Sequence, residues 1–377
     1  MEVGHLEPAG SRRDACSRRR SRQPLLNHDR AEPRNMRILI VSDAWSPQVN
    51  GVVRTLKTTI EHLRSQGEEV EVIEPGLFRT IPCPTYPEIR LSWRPRRLVM
   101  QRIASFSPDV VHIATEGPLG LAARRAALHL DIPLTTAYHT RFPEYVKARF
   151  GMPLSWTYAY LRWFHNAARV TLVPTQVVRS DLVARGFTRL AIWSRGVDSR
   201  VFFPRHGQRL EGDPPIFLYV GRVAVEKNID AFLELDLPGT KWVVGEGPEL
   251  ERIRREHPQV RFLGVLSQDR LAEVYSGADV FVFPSRTDTF GLVLIEALAC
   301  GCPVAAYPVT GPVDVIGDAP AGVLDEDLRA ACLAALRIPR QNAVAHARQF
   351  TWQRATSQFL LHLQQAAEKP APTGVEA

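Results

Sequence analysis

The chain has 377 residues, of which 45% are hydrophobic and 23% charged, and its formal net charge is +7. These values are typical of a soluble globular protein with room for two domains, and no stretch approaches the roughly 20 apolar residues of a transmembrane helix. The first 35 residues hold eight arginines and five acids, so 8 − 5 = +3 of the charge lies there, and the remaining +4 does not suggest a dedicated nucleic-acid binder.

Residues 1–35 are the first segment of the chain and are rich in Arg, Ser and Pro. They lack strand or helix periodicity, which predicts a disordered basic extension. The segment has no apolar core of a secretory signal, and its five acidic residues argue against a transit peptide. Because Met36 opens the first strand-like run, we expect it to be the real start of the native protein.

Strand-like and helix-like patterns alternate from residue 36 to about residue 200. Strands are predicted at 37–42, 69–74, 109–114, 133–138, 169–173 and 190–193. Helices are predicted at 52–65, 95–105, 118–130, 154–167 and 176–185. Alternation of this kind is typical of a parallel sheet with helices on both faces, so residues 36–200 are predicted to form an N-terminal Rossmann-like domain.

Residues 199–215 combine Pro, Gly and charged residues, which marks a linker. A second alternating series follows it. Its strands are predicted near 216–221, 241–245, 260–263, 280–283 and 303–306, and its helices near 227–234, 248–256, 268–276, 291–300 and 326–336. The predicted fold class is therefore α/β, with two doubly wound domains facing across a cleft. The second domain is predicted at 201–350, and the tail beyond about residue 368 is expected to be loose.

Two loops of the first domain carry candidate site residues at the carboxyl ends of strands, where α/β sheets bind ligands. In the first loop, Asp43 and Asn50-Gly51 lead into a helix whose free N–H groups suit a phosphate. This loop is neither GxGxxG nor a Walker motif, so a mere strand–helix connection remains open. In the second loop, Tyr138-His139 is placed to touch a ligand, although His139 as a helix cap remains equally open.

Two loops of the second domain add cations and glycines. Arg222 and Lys227 leave one loop after the strand 216–220, and two cations there fit a diphosphate; two surface cations are the alternative. Gly245, in Gly-Glu-Gly-Pro, occupies another strand–helix junction. A single G-x-G is a weak signal, so this junction is predicted only to form a cleft wall for a base or ribose.

The segment 284–297 gives the most informative pattern. Asp288 lies eight positions before Glu296, and Phe290-Gly291-Leu292 between them opens an apolar helix. A glycine lets a ligand approach the backbone, and the new helix end attracts an anion. Two carboxylates beside an anion site suit a phosphate-bearing ligand with many hydroxyls, such as a nucleotide-sugar. A turn aspartate followed by a helix-face glutamate is the alternative for this segment alone.

No metal or thiol chemistry is indicated. The five cysteines, at 16, 83, 300, 302 and 332, show no CxxC or Cys/His spacing and are predicted to be reduced thiols. Asp325 and Asp327 form a D-x-D at a helix start, where acids favour the helix dipole. The sequence lacks HExxH, G-x-S-x-G and GxxxxGK[ST] motifs.

Taken together, these motifs resemble the retaining glycosyltransferases of the group-1 (family four) class, which adopt the GT-B fold. The resemblance runs from Met36 to about residue 365. It rests on Asn50-Gly51, Tyr138-His139-Thr140, Gly221-Arg222 with Lys227-Asn228, the Gly245 turn, and the Asp288/Glu296 segment. The first acid of the last motif is usually Glu in this family and is Asp288 here. The Tyr-His-Thr and Phe-Pro residues look most like lipid glycosyltransferases, including phosphatidylinositol mannosyltransferases and sulfoquinovosyl- and glycosyl-diacylglycerol synthases.

The resemblance implies a metal-independent hexosyltransferase that needs no cofactor beyond its nucleotide-sugar, with GDP-mannose favoured and a UDP-hexose as the other option. It implies catalytic roles for His139, Arg222, Lys227 and Asp288. Donor-binding roles are implied for Gly51, Arg222, Lys227, Gly245, Asp288, Phe290, Gly291, Leu292 and Glu296. Asp43, Asn50, Tyr138 and His139 are assigned to the acceptor side. It further implies that a C-terminal helix within 351–377 packs back toward the first domain.

The acceptor is expected to be a membrane glycolipid or a cell-envelope glycan. Residues 91–102 mix Trp93 with four arginines and apolar residues, which suits an anionic membrane surface; a solvated helix is the alternative. We therefore expect a cytoplasmic protein, peripheral on the inner face of the cytoplasmic membrane, that binds no nucleic acid. A nucleotide-sugar epimerase of the same fold and a non-catalytic sugar-nucleotide-binding protein remain as alternative functions.

Overall fold

Two six-stranded parallel sheets, each covered by helices on both faces, form the scaffold of this chain. The computed structural model describes residues 35–46, 48, 50–83, 86–208 and 210–368, with the backbone alone at 86–89, 145 and 148–150. The predicted disordered extension (1–35), except for Asn35, and the predicted loose tail beyond residue 368 lie outside the described residues.

The first sheet has the strand order β2-β1-β5-β6-β7-β8, with all neighbours parallel. Its strands are β1 (Arg37–Val41), β2 (Glu69–Ile73), β5 (Val110–Ile113), β6 (Leu134–Ala137), β7 (Val170–Val173) and β8 (Leu190–Ile192). The helices of this half are α1 (Gly51–Ser65), α2 (Arg96–Phe106), α3 (Pro118–His129), α4 (Phe142–Phe150), α5 (Leu154–His165) and α6 (Gln176–Ala184). An antiparallel hairpin of β3 (Thr80–Cys83) and β4 (Tyr86–Ser92) precedes α2.

The second sheet has the order β11-β10-β9-β12-β13-β14 and is also parallel throughout. Its strands are β9 (Ile216–Val220), β10 (Thr240–Val244), β11 (Arg261–Phe262), β12 (Val280–Phe283), β13 (Val304–Ala306) and β14 (Gly322–Leu324). Its helices are α7 (Asp230–Leu233), α8 (Leu250–Glu256), α9 (Gln268–Gly277), α10 (Leu292–Ala299), α11 (Pro312–Val315), α12 (Leu328–Ala335) and α13 (Arg340–Ala347). The last helix of the chain is α14 (Trp352–Ala367).

The central strands are apolar on both faces because helices cover both sides of each sheet. All four residues of β12 and all five of β9 are buried. Burial of this kind explains why continuous apolar runs, rather than alternating ones, marked the strands in the sequence. The predicted α/β class with two doubly wound domains is confirmed.

Several elements differ from the sequence-based expectations. The hairpin β3–β4 was not predicted, and the basic stretch 91–102 is divided between the end of β4 and the first half of α2. The helices α4, α11 and α13 and the edge strand β14 were also not predicted. Each predicted strand of the two sheets is present within a residue or two, as expected for element boundaries.

The helix α14 packs on the first half of the molecule although it follows the second half in the chain. Its buried Phe359 packs against Trp193 at a ring distance of 4.6 Å and edge-to-face against His112 at 4.8 Å. Leu363 joins the same apolar cluster as the strands of the first sheet. The chain therefore crosses between the halves twice, once before β9 and once before α14.

None of the helices in the part of the chain that the structure describes has both the length and the apolar character required to cross a membrane.

Candidate active site

The carboxyl ends of the two sheets meet through direct contacts between their loops. Thr289, in the loop after β12, donates from its hydroxyl to the carbonyl of His139, in the loop after β6, at 2.7 Å. Arg141 donates to the Thr310 hydroxyl at 2.9 Å. These bonds join residues more than 140 positions apart, so they place loops of both domains at one cleft.

Lys227 and Asp288 form an ion pair within the second domain, with 2.5 Å between Lys227 Nζ and Asp288 Oδ1. The turn carrying Lys227 ends at Asn228, which has a left-handed φ of 53° and donates from its side chain to the Pro284 carbonyl at 3.1 Å. That bond ties the loop after β9 to the end of β12. Asp288 Oδ2 is buried and has no hydrogen-bond partner among the described residues.

Glu296 is almost fully buried, with 2% of its surface exposed, in the helix α10. Its Oε1 lies 2.6 Å from Arg54 Nη1, which reaches across from α1 in the first domain. The Tyr275 hydroxyl lies 3.5 Å from Oε2. Gly291, at the start of α10, has φ +83°, a conformation that favours glycine. This turn brings the helix end and Glu296 toward the cleft.

The loop before α1 ends in a side-chain cap. Asn50 Oδ1 accepts from the Val53 backbone N–H at 3.0 Å, so Asn50 serves α1 as its N-cap. Gly51 begins the helix and is exposed, and a Cβ there would lie 3.5 Å from the Leu292 side chain. The start of α1 therefore lies beside the start of α10, and the first turn of each helix has backbone N–H groups without a partner inside the helix.

His139 lies against Arg195 and Trp193. Its Nδ1 is 3.0 Å from Arg195 Nη2, and its ring lies 5.6 Å from the indole of Trp193. Burial, together with the positive charge of Arg195, lowers the pKa of His139 well below its ordinary value. The imidazole is therefore neutral at physiological pH.

Two residues assigned to the acceptor side lie within the first domain's interior. Asp43 is 6% exposed, and its carboxylate accepts from the backbone N–H groups of Leu119 at 2.9 Å and Gly120 at 3.2 Å, and from Thr115 Oγ1 at 3.0 Å. Asp43 therefore anchors the start of α3. Tyr138 is 1% exposed and packs edge-on against aromatic rings of the core, where burial raises its pKa.

The remaining donor-side residues are positioned by close backbone packing. Gly245 has φ +134°, and a Cβ there would lie 1.9 Å from the carbonyl oxygen of Gly221, so the loops after β9 and β10 touch through their backbones. The buried Tyr219 donates its hydroxyl to the Arg222 carbonyl at 2.8 Å. The Asp288 charge contributes to raising the pKa of Tyr219, after the larger effect of burial. The Arg222 loop and Asp288 are therefore neighbours.

The predicted residues thus divide into two sets. The structure brings together Lys227 with Asp288, His139 with the Asp288 loop, and Gly51 with Leu292. It keeps Asp43 and Tyr138 in the interior. Sequence reasoning missed Arg54, Arg195 and Thr289. Arg195 comes three residues after the end of β8, so its place near a strand's carboxyl end was an available signal. Arg54 is an ordinary helix residue in the sequence, and nothing there marks it.

One group of potential metal ligands occurs among the described residues, formed by Asp230, Glu256 and His257. Arg252 already binds both carboxylates of this group, so a cation side chain occupies the position a metal would need. Asp327 accepts from the Arg329 and Ala330 backbone N–H groups as the N-cap of α12. Neither cluster offers a vacant ligand set, and the absence of a metal from the reaction remains a prediction.

Comparison with known proteins gives two family matches. Residues 49–201 match the Glycosyltransferase Family 4 model, and residues 204–335 match the Glycosyl transferases group 1 model. The chain is similar to a GDP-mannose-dependent alpha-mannosyltransferase of Mycobacterium tuberculosis, with 32% identity over 77% of this chain and 83% of the relative. It is 33% identical to the sulfoquinovosyl transferase SQD2 of Arabidopsis thaliana over 78% of this chain, and it spans only 63% of that longer relative.

Solved structures show the same fold at low identity. Sucrose-phosphate synthase from Thermosynechococcus elongatus matches with a TM-score of 0.70 and 20% identity over 87% of this chain and 98% of that one. Anabaena HepE in complex with UDP-glucose matches with a TM-score of 0.64 and 16% identity over 88% of this chain and 100% of that one. At these identities the likeness supports the fold alone.

Proposed function

Because this chain belongs to the group 1 glycosyltransferases of family 4, we propose that it transfers a hexose from a nucleotide-sugar to a hydroxyl of a membrane glycolipid or cell-envelope glycan, with retention of the anomeric configuration. The observation that carries the proposal is the Lys227–Asp288 ion pair together with the buried Glu296, which follows Asp288 by eight positions in the same segment. This arrangement supplies a cation for a diphosphate and two carboxylates for hydroxyls in one cleft.

GDP-mannose is the favoured donor. Several relatives at about 30% identity are GDP-mannose-dependent mannosyltransferases by name. Other relatives are named as sulfoquinovosyl and glucosyl-diacylglycerol enzymes, which keeps a UDP-hexose as the second candidate. With either donor, Glu296 binds the ribose hydroxyls and Asp288 binds hydroxyls of the sugar. Arg54 must then release the Glu296 carboxylate oxygen with which it is paired.

The reaction breaks the bond between the sugar's anomeric carbon and the diphosphate oxygen. The acceptor oxygen forms the new bond on the same face, and its proton passes to the leaving phosphate. Arg222 and Lys227 stabilise the negative charge that develops on the diphosphate, together with the N–H groups at the helix starts of α1 and α10. Such fixed donors are most effective where closed domains exclude water.

The acceptor is proposed to be reached at an anionic membrane surface. Helices α2, α3 and α5 contain six arginines and no acidic residue. Between them lies an apolar groove of about 530 Å³, and its lining includes Arg96, Leu121, Arg125, Leu128 and Trp163. Exposed Trp93, at the start of residues 91–102, continues this surface. Aromatic and basic side chains side by side suit the interface of an anionic bilayer, and such contact fits a peripheral protein on the cytoplasmic face.

The donor site is tested with nucleotide-sugars and two variants. Among GDP-mannose, UDP-glucose and related donors, the true donor should raise the melting temperature most, because ligand binding stabilises the native state. Lys227→Ala and Glu296→Ala should each weaken donor binding or turnover by at least about tenfold, since each loses a charged hydrogen bond. Glu251→Ala, exposed on α8, is the control. Near-normal activity of both site variants would show that the site is misplaced.

The reaction type is tested on the product. NMR of the purified product should show the anomeric configuration of the donor, and inversion would contradict retention. A glycosyl adduct on any carboxylate, detected by mass spectrometry, would overturn the same-face mechanism. Epimerisation of the donor without an acceptor would favour the epimerase alternative.

Membrane contact is tested by vesicle flotation. We expect binding to vesicles containing anionic lipid and weaker binding to neutral ones. The double variant Arg96→Glu/Arg97→Glu should lose this preference, since each basic residue near the surface contributes about 1 kcal/mol. Arg254→Glu/Arg255→Glu, a pair of exposed arginines on α8, is the matched control. Equal flotation with anionic and neutral lipid would contradict the proposal.

A further inference from the structure

Arg195 is a buried cation without a buried counter-charge. It is 5% exposed, and no Asp or Glu of the described residues lies within ion-pair distance of it. Its Nη1 donates to the carbonyls of Trp193 at 2.5 Å and Ser194 at 3.1 Å, and its guanidinium lies 4.5 Å from the Trp193 ring centre. Burial lowers its pKa to about 9. An arginine held in this way is costly, which calls for a reason beyond packing.

The remaining contact of Arg195 gives that reason. Its Nη2 lies 3.0 Å from His139 Nδ1. A guanidinium has only donors, so Nδ1 must be the acceptor and the ring must carry its single proton on Nε2. The contact with Arg195 therefore determines the tautomer of His139 and, after the larger effect of burial, helps to keep the ring neutral.

The Nε2 of His139 is buried and has no hydrogen-bond partner among the described residues. A buried N–H donor without an acceptor costs about 1–3 kcal/mol, so the site is complete only when a ligand oxygen reaches it. The His139 carbonyl is held by Thr289, next to Asp288. The unpartnered N–H therefore belongs to the residue that contacts the proposed sugar-binding loop.

We propose that Arg195 is a positioning residue: it fixes His139 as a neutral imidazole with its proton on Nε2, so that this N–H donates to an oxygen of the sugar being transferred. The proposal rests on the glycosyl transfer proposed above. Its physical purpose is twofold. The N–H orients the sugar, and the neutral ring avoids adding a second positive charge near an anomeric carbon that itself becomes positive as the bond to phosphate breaks.

The charged and titratable groups around His139 agree with a neutral ring. Arg195 after β8, His112 in β5 and His165 in α5 all disfavour protonation of His139, and burial does so most strongly. From the second domain, Asp288 is the neighbour of Thr289, whose hydroxyl donates to the His139 carbonyl, and Lys227 forms an ion pair with Asp288. Of these groups, Arg195 alone touches the ring's Nδ1 and can set the tautomer.

The tautomer is measured first on the wild-type protein without substrate. Nitrogen NMR of protein labelled with ¹⁵N-histidine distinguishes a protonated Nε2 from a protonated Nδ1, and His139→Gln assigns the signal. We expect His139 to remain neutral, with its proton on Nε2, from about pH 5 to about pH 8, a range that spans the ordinary histidine pKa of about 6.5. A protonated Nδ1 or a charged ring at neutral pH would overturn the proposal, whatever the enzyme's activity.

Variants of Arg195 then test the consequence for the reaction. Arg195→Met should lower kcat by about tenfold to a hundredfold at pH 7.5 with little change in KM, because orientation in the transition state is lost. Loss of the Arg195 charge should raise the pKa of His139 although burial still lowers it, so kcat/KM of the variant should begin to fall at a higher pH than in the wild type. Arg195→Lys, which also only donates, should restore the wild-type pH profile in part.

Arg179→Met is the matched control, since Arg179 donates to the Leu190 carbonyl at the same sheet edge and shares no hydrogen bond with a histidine of the described residues. It should leave the pH profile of kcat/KM unchanged. An Arg195→Met enzyme whose pH profile matches the wild type would overturn the proposal. If Arg195→Met fails to fold, the wild-type NMR result and Arg195→Lys decide. Absence of turnover with every donor, alongside the expected NMR result, would contradict the proposed function and leave the role of Arg195 in the tautomer intact.

Discussion

The two carboxylate oxygens of Asp288 differ in their hydrogen bonding. Oδ1 accepts from Lys227, while Oδ2 is buried without a partner among the described residues. A sugar hydroxyl can donate to Oδ2 and satisfy it, which supports the proposed role of Asp288 in sugar binding. The aspartate is one methylene shorter than the glutamate usual in this family, so the fixed pair with Lys227 limits which sugar hydroxyls it can reach.

Asp43 gives a prediction about the pH dependence of stability. Burial raises the pKa of the Asp43 carboxyl, and this outweighs the lowering effect of the bonds from Leu119, Gly120 and Thr115. The folded protein then binds this proton more tightly than the unfolded chain does. The stabilisation is therefore complete below the ordinary aspartate pKa and is lost as the pH rises through the raised value, by about 1.4 kcal/mol for each unit of pKa shift.

The test compares wild type with Asp43→Asn, which cannot titrate. The free energy of unfolding of the wild type minus that of the variant should fall as the pH rises above the ordinary aspartate pKa of about 3.9, measured by urea unfolding. Asp318→Asn, at an exposed position, is the control for general pH effects. A difference that is constant or rises with pH would contradict the burial-driven shift.

The sequence could locate the residues that follow buried strands but not those that meet across the cleft. Lys227, Asp288 and His139 each come shortly after an apolar run, and the carboxyl ends of parallel strands lie at one edge. Arg54 lies within α1, four residues after its cap, and its partner Glu296 is 242 positions away in the chain. Such a pair depends on how two domains approach each other, which local periodicity does not contain.

At the scale of elements, the strands of the two sheets were predictable except for the edge strand β14, and the hairpin was not. Each central strand is a continuous apolar run because both of its faces are covered. The strands β3 and β4 instead include Pro82 and Pro87 and carry polar residues, and proline within a run argues against a strand. Their pairing is to each other alone, away from the parallel sheets. An edge pair of this kind tolerates the prolines that a central strand would reject.

At the start of α1, a substitution that adds one methyl group can test the donor site without disturbing the fold. A Cβ at Gly51 would meet only the Leu292 side chain, at an ordinary contact distance of 3.5 Å. Alanine also favours a helix over glycine by up to about 1 kcal/mol. Gly51→Ala should therefore keep or slightly raise the melting temperature. Its donor turnover should fall at least about tenfold, because the methyl group occupies the space where we propose that the donor phosphates approach the helix end.

Glu61→Ala, exposed in the same helix, is the control, and kcat and KM for the donor are the measurements. Normal kinetics in Gly51→Ala would show that the phosphates do not approach this end of α1. A large loss of stability would instead show that the glycine is required for the fold.

At the scale of the whole molecule, the two halves are not each built from one continuous stretch of the chain. The helix α14 follows the second half in sequence, yet its apolar face belongs to the core of the first half. A parallel β-bridge between Val197 and Thr351 joins the two crossings of the chain, and a Cβ at Gly196 would lie 2.2 Å from the Trp352 backbone nitrogen. The connection between the halves is therefore closely packed at this point.

Phe359 tests this arrangement. Its ring is fully buried against Trp193 and His112, so Phe359→Ala should cost about 3–5 kcal/mol and lower the melting temperature by on the order of 10 °C. Leu361→Ala, on the same helix at a position that is 50% exposed, should cost less than about 0.5 kcal/mol. Because the lost contacts lie under the first sheet, hydrogen exchange in Phe359→Ala should accelerate most in β5 and β6 and least in β12. Faster exchange confined to β12 would contradict the claim that α14 stabilises the first half. Equal stability of both variants would show that the Phe359 contacts do not stabilise the protein.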